Sequence, residues 1–106
     1  MARLQRPPKS FDEFVRRYPK LGQAWELLGE GAAEAGPLDE RTQRLVKLAL
    51  AIAARQEGAV HSAVRKAVAA GAKQQELEQV VALAASLIGL PATVMVWQWV
   101  KEEAGG

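Results

Sequence analysis

Glu57, His61 and Arg65 recur at every fourth residue, so on a helix all three project from one face, with the chain's only histidine between a carboxylate and a guanidinium. That pattern points to acid–base chemistry. A carboxylate beside an imidazole orients the ring and supports its protonated form, and the imidazole can then give or take a proton near neutral pH. Glu57 and His61 are the candidate catalytic pair, and Arg65 is placed to hold an anionic substrate. The competing reading of the same spacing is a solvated charge ladder worth about 0.2–0.5 kcal/mol per pair. Arg44, Lys47 and Arg55 fall near a common side of the preceding helix and could line a pocket for a carboxylate. As an alternative, they form a solvated stripe paired with Glu40, Glu57 or Glu76.

Other chemistries are excluded by what the sequence lacks. There is no cysteine, hence no disulfide, no thiolate metal site and no thiol redox chemistry from this chain alone. One histidine and scattered carboxylates predict no metal site and no cofactor. Phosphate-binding glycine loops and nucleophile elbows are not found. The formal charge of +2 is too small to imply nucleic-acid or membrane partners. Arg3, Arg6, Lys9, Arg16, Arg17 and Lys20 make the start locally basic, which reads as a solvated terminus and helix face. No apolar run reaches the roughly 18 residues that span a bilayer, and no signal-length stretch follows Met1, so a cytoplasmic location is expected.

The elements that must position these side chains are helices. Pro7-Pro8 keeps residues 1–9 extended as an arm. Ser10 and Glu13 form a Ser-x-x-Glu capping box, and two short helices follow over residues 10–36, restarted at Pro19 and loosened by Gly29, Gly31 and Gly36. Asp39 caps a long helix running to about Gln56, apolar on most sides and therefore expected to be central. A break at Glu57-Gly58 precedes a helix from Ala59 to Ala70 whose alanines give a small-residue face. Gly71 closes it with a left-handed residue. Lys73 to Gly89 is next, with Leu77, Val80, Val81, Ala84, Leu87 and Ile88 facing inward, and Pro91 opens the last helix. Trp97 and Trp99, two apart, lie roughly opposite, one for the core and one for a partner subunit. At 106 residues the chain is expected to be a single domain. Its 49% hydrophobic content, only 6% of the chain aromatic, predicts close helix packing and an apolar surplus covered by self-association.

The stretch from Arg55 to Leu90, with its Gly71-Ala72 turn and acidic helix start, followed by Gly89-Leu90-Pro91-Ala92, resembles the core of the carboxymuconolactone decarboxylase and alkylhydroperoxidase-D-like family. The resemblance covers Asp39 to about Val100, giving a family core over residues 39–103. It implies an all-α fold of about six helices with a central antiparallel helix pair, assembled as a homotrimer or hexamer. Counting back from Gly71, the redox cysteines of the family fall on Gln56 and Ala59, its histidine on Ala63 and its preceding glutamate on Arg44. The run Arg55-x-Glu57-Gly58-Ala59-Val60-His61 is instead similar to a cysteine-free subgroup. The resemblance thus implies a member without thiol peroxidase chemistry. It is either a decarboxylase or lyase-like enzyme acting on a small anion or a non-catalytic oligomer binding an anion or a protein partner.

Overall fold

The computed structural model describes residues 9–104, all of its regular structure α-helical. They form α1 (Lys9–Arg17), α2 (Pro19–Glu34), α3 (Glu40–Ala54), α4 (Glu57–Ala69), α5 (Gln74–Ile88) and α6 (Leu90–Ala104). All but the last residue of the expected N-terminal arm lies outside the described residues. The chain divides at Leu38/Asp39 into two compact units, one holding α1 and α2 and the other α3 to α6.

In the first unit, α1 begins at Lys9, so Ser10 lies inside its first turn and not at the cap. Pro19 occupies the first turn of α2, where its missing N–H is not needed. The Phe14 and Tyr18 rings lie 5.0 Å apart, and a Cβ on Gly22 would come within 3.1 Å of the Val15 Cβ. Gly22 is therefore what lets α2 approach α1 closely. Gly29 and Gly31 sit within α2 without breaking it, each at a cost of about 1 kcal/mol relative to alanine, among the good helix formers Leu27, Leu28, Glu30, Ala32 and Ala33. No residue of either helix is buried.

The second unit closes on itself: α3 packs on α4 and α5, and α6 packs on the same two helices. Its core comes from residues three and four apart, Leu48 and Ile52 of α3, Val60, Val64 and Ala67 of α4, Leu77 and Val81 of α5, and Val96, Val100 and Ala104 of α6. Such spacing stacks side chains on one face of each helix. The break before α4 falls at Arg55-Gln56, two residues earlier than the glycine suggested. Arg55 takes a left-handed conformation (φ 55°) and donates its N–H to the Ala51 and Ile52 carbonyls. Gly58 thus sits inside the first turn of α4. Gly71 (φ 96°) and Gly89 (φ 88°) adopt backbone conformations that side chains disfavour, and they turn the chain into α5 and α6.

Two expectations about the core are corrected. α3 is not enclosed: Val46 and Leu50 face outward, since Leu48 and Ile52, with Leu45 and Ala51 packed beside them, suffice to line this small core. Leu87, expected inward, is 87% exposed, because Leu77, Val81 and the half-buried Val80, Ala84 and Ile88 already fill the inner face of α5. Of the two tryptophans, Trp99 packs against the core, while Trp97 is exposed with the Lys101 ammonium 4.1 Å from its ring centroid. Among the described residues, no helix is long and apolar enough to cross a membrane.

Two carboxylates pin the helix starts. Asp39 accepts from the Thr42 N–H at 2.8 Å, and hydrogen bonds from the Thr42 hydroxyl and N–H hold its carboxyl below the ordinary aspartate value. Glu76 receives the Arg41 guanidinium and then the Lys73 N–H, and these hold it below the ordinary glutamate value. Groups with depressed folded-state values stabilise above their unfolded values, and that contribution is lost as pH falls through the folded ones. Thermal unfolding from neutral to strongly acid pH should therefore show a gap in Tm between wild type and the Asp39→Ala/Glu76→Gln variant. The gap is full above about pH 5 and closes in acid. A gap independent of pH would dismiss both carboxylates as its source.

Candidate functional site

Because α4 begins at Glu57, Glu57, His61 and Arg65 lie on one continuous helix face, as their spacing requires. The structure adds two residues that the sequence did not connect to them, Glu102 and Glu103 from the last turn of α6. The Glu103 carboxylate accepts from His61 Nδ1 at 3.0 Å, and its same oxygen receives the Arg65 guanidinium at 3.3 Å. On the other side of the ring, Nε2 lies 3.4 Å from Glu57 Oε2 and 3.9 Å from Glu102 Oε1. Only 6% of the Glu103 side chain is exposed, and its Oε2 is buried without a hydrogen-bond partner among the described residues. His61 and Arg65 are mostly covered, their side chains 20% and 15% exposed, whereas Glu57 and Glu102 open to solvent.

This network differs from a surface charge ladder in its burial. A carboxylate taken out of water is costly unless paired, so Glu103 must have partners that hold their positions. One of its oxygens meets two donors. With Nδ1–H committed to Glu103, the ring is fixed and Nε2 becomes the nitrogen facing outward. The signal for Glu102 and Glu103 was present in the sequence. Two carboxylates in the final turn of a helix oppose the negative end of its dipole, a local conflict that points to a tertiary partner.

The expected basic residues separate into three groups. Arg44 and Lys47 of α3 approach Lys66 of α4, and desolvation, followed by the like charges of Arg44, Lys47 and Arg65, holds the Lys66 ammonium below the ordinary lysine value. Lys66 was not among the sequence candidates. Arg65 belongs to this group and to the Glu103 pair. Arg55 is exposed at the turn after α3, where its backbone shapes the chain and its side chain is not joined to His61. Glu57, His61 and Glu102, the last 41 residues beyond His61 in sequence, offer ligand atoms within 4.8 Å of one another. The carboxylates that look scattered along the chain are gathered here by α6 packing on α4.

An all-helical unit whose second and fourth helices bring a histidine and carboxylates together is the kind of protein these observations define. The chain belongs to the carboxymuconolactone decarboxylase family, whose model matches residues 19–102 and so takes in α2 as well as the core recognised from sequence. An uncharacterised protein of Haemophilus influenzae is 41% identical over 59 residues, 56% of this chain and 52% of that protein. The chain thus spans about half the length of this curated relative. The crystal structure of a carboxymuconolactone decarboxylase family protein from Legionella pneumophila, in its apo form, superposes with a TM-score of 0.79. It covers 92% of this chain and 86% of its own at 24% identity, and it shows the shared all-α fold.

Proposed function

We propose that the protein binds a small anionic substrate and transforms it by proton transfer at His61, as a decarboxylase or lyase-type member of its family that uses no thiol. The observation that carries this reading is the buried Glu103 carboxylate fixed on His61 Nδ1, which leaves Nε2 as the working nitrogen. Glu57, 3.4 Å from Nε2, lies beside the nitrogen that would exchange the proton. Arg44 and Lys47 supply the anchor, because guanidinium and ammonium groups recognise carboxylates by charge-assisted hydrogen bonds. Arg65, paired with Glu103 beside the imidazole, is the further cation proposed to meet the substrate, with Arg55 as a more distant candidate.

Carboxymuconolactone and small dicarboxylates, followed by NMR for loss of carbon dioxide or double-bond migration, are the first substrates to try. His61→Gln should lower kcat by about 10²- to 10⁴-fold, the usual contribution of a general acid or base. Arg44→Gln and Lys47→Gln should act mainly on KM, as losses of uniform binding do. Turnover undiminished in His61→Gln would remove the imidazole from the mechanism.

A non-catalytic oligomer is the second reading, favoured by apolar surface that one chain leaves open. Leu45, Val46, Ala49, Val80, Leu83 and Leu87 line a groove between α3 and α5, and Trp25, Leu27 and Leu28 are exposed on α2. We propose a cytoplasmic homo-oligomer, a trimer or hexamer, for either reading, since patches of this kind mark contact surfaces. Sedimentation of the wild type should give a mass several times 11.5 kDa at micromolar concentration, and Leu83→Glu/Leu87→Glu should reduce it towards one chain. Trp99, which packs on the core, is the wrong residue for this test, because its loss would act on folding. A wild type that sediments as a single chain would end the proposal.

A further inference from the structure

Three carboxylates surround one imidazole at the α4–α6 contact, and the charges present do not balance. Glu57, Glu102 and Glu103 carry three negative charges against Arg65 and, at most, one imidazolium. We propose that Glu57, His61 and Glu102 form a binding site for a divalent first-row transition-metal ion, with His61 ligating through Nε2 and Glu103 positioning the ring from Nδ1. A divalent ion beside a neutral imidazole brings the positive charge, with Arg65, to three.

The geometry points the same way. Two ligands each about 2.1 Å from an ion at the tetrahedral angle stand about 3.4 Å apart. Nε2 lies 3.4 Å from Glu57 Oε2 and 3.9 Å from Glu102 Oε1, and the three atoms fall within 4.8 Å of one another. Glu57 and Glu102 are exposed enough to close the remaining distance by side-chain rotation, and solvent can fill further positions.

A second observation is independent of this spacing. Histidines that bind metals usually donate their other N–H to a carboxylate, which fixes the tautomer and raises ligand basicity. Glu103 accepts that N–H at 3.0 Å on a side chain more than nine-tenths buried, and its Oε2 is buried with no hydrogen-bond partner among the described residues. Burying a carboxylate and leaving one oxygen unsatisfied is unfavourable for a protein that only needs a surface ion pair. An imidazole donor with two carboxylates selects transition ions such as zinc, manganese or iron over magnesium and calcium.

The test is direct binding by the untagged full chain, after chelator treatment, with Zn(II) and Co(II) as probes. It needs no substrate, and it separates this proposal from the acid–base reading: an ion on Nε2 takes the nitrogen that proton transfer would use, so tight binding replaces that reading and absence of binding leaves it to the turnover assay. Titration against a chromophoric chelator should show one high-affinity ion per chain, undiminished by millimolar magnesium, and Co(II) should give d–d absorption bands. His61→Ala and Glu102→Gln should each weaken binding at least 100-fold. Glu102→Gln alters an exposed side chain and keeps the test decisive where His61→Ala fails to fold. Glu103→Gln, a change in a positioning residue, should weaken binding 10- to 100-fold at unchanged stoichiometry, with a shifted Co(II) spectrum. Wild-type affinity no better than that of Glu102→Gln, or zinc displaced by magnesium, would overturn the proposal.

Discussion

Leu48→Ala is expected to lower the unfolding free energy by about 3 kcal/mol, the middle of the range for deleting a fully enclosed leucine side chain. Leu48 is fully buried and belongs to the cluster formed jointly by α3, α4, α5 and α6. Truncating its side chain to a methyl forfeits the transfer free energy of three carbons and leaves a cavity that the surrounding valines, stiff at χ1, are poorly able to fill. Domains of this size have about 5–15 kcal/mol in total, so the loss moves a large fraction of the population towards unfolding. Urea denaturation followed by circular dichroism measures it, and an unchanged slope with a lower midpoint would locate the effect in the native core. A loss under about 1 kcal/mol would mean that Leu48 is not enclosed by this core.

The helices and the His61 face were legible because both depend on local spacing. Residues three and four apart share a helix face whatever the rest of the chain does, so the number and order of the six helices followed from periodicity and from Asp39, Pro19, Gly71 and Pro91. The break before α4 was misplaced by two residues because a left-handed arginine leaves no mark in the sequence, whereas the neighbouring Gly58 does. The inner and outer sides of α3 and α5 were unclear for a different reason. When apolar residues encircle a helix, periodicity cannot say which ones a single chain buries, and Leu50 and Leu87 proved to be outside. Glu102 and Glu103 were missed because their partners lie some 40 residues earlier, and only the packing of α6 on α4 joins them.

That same contact supports the second large effect. Glu103→Leu keeps roughly the volume of the side chain but removes the acceptor shared by His61 Nδ1 and the Arg65 guanidinium. Breaking a buried pair by deleting one partner typically costs about 3–5 kcal/mol, because the remaining charge stays desolvated. Arg65→Met should cost less than this, since Glu103 then still holds His61. The decisive measurement is the double variant. If Arg65 and Glu103 act as one unit, Glu103→Leu/Arg65→Met should be far less destabilised than the sum of the two single losses, because an apolar pair then replaces two ions and no charge is stranded. Additive losses, within about 0.5 kcal/mol, would show the two side chains to be energetically independent despite their 3.3 Å contact. Each would then stabilise the α4–α6 contact separately, Glu103 chiefly through its bond to His61, alongside the apolar packing of Val60, Val64, Val96 and Val100.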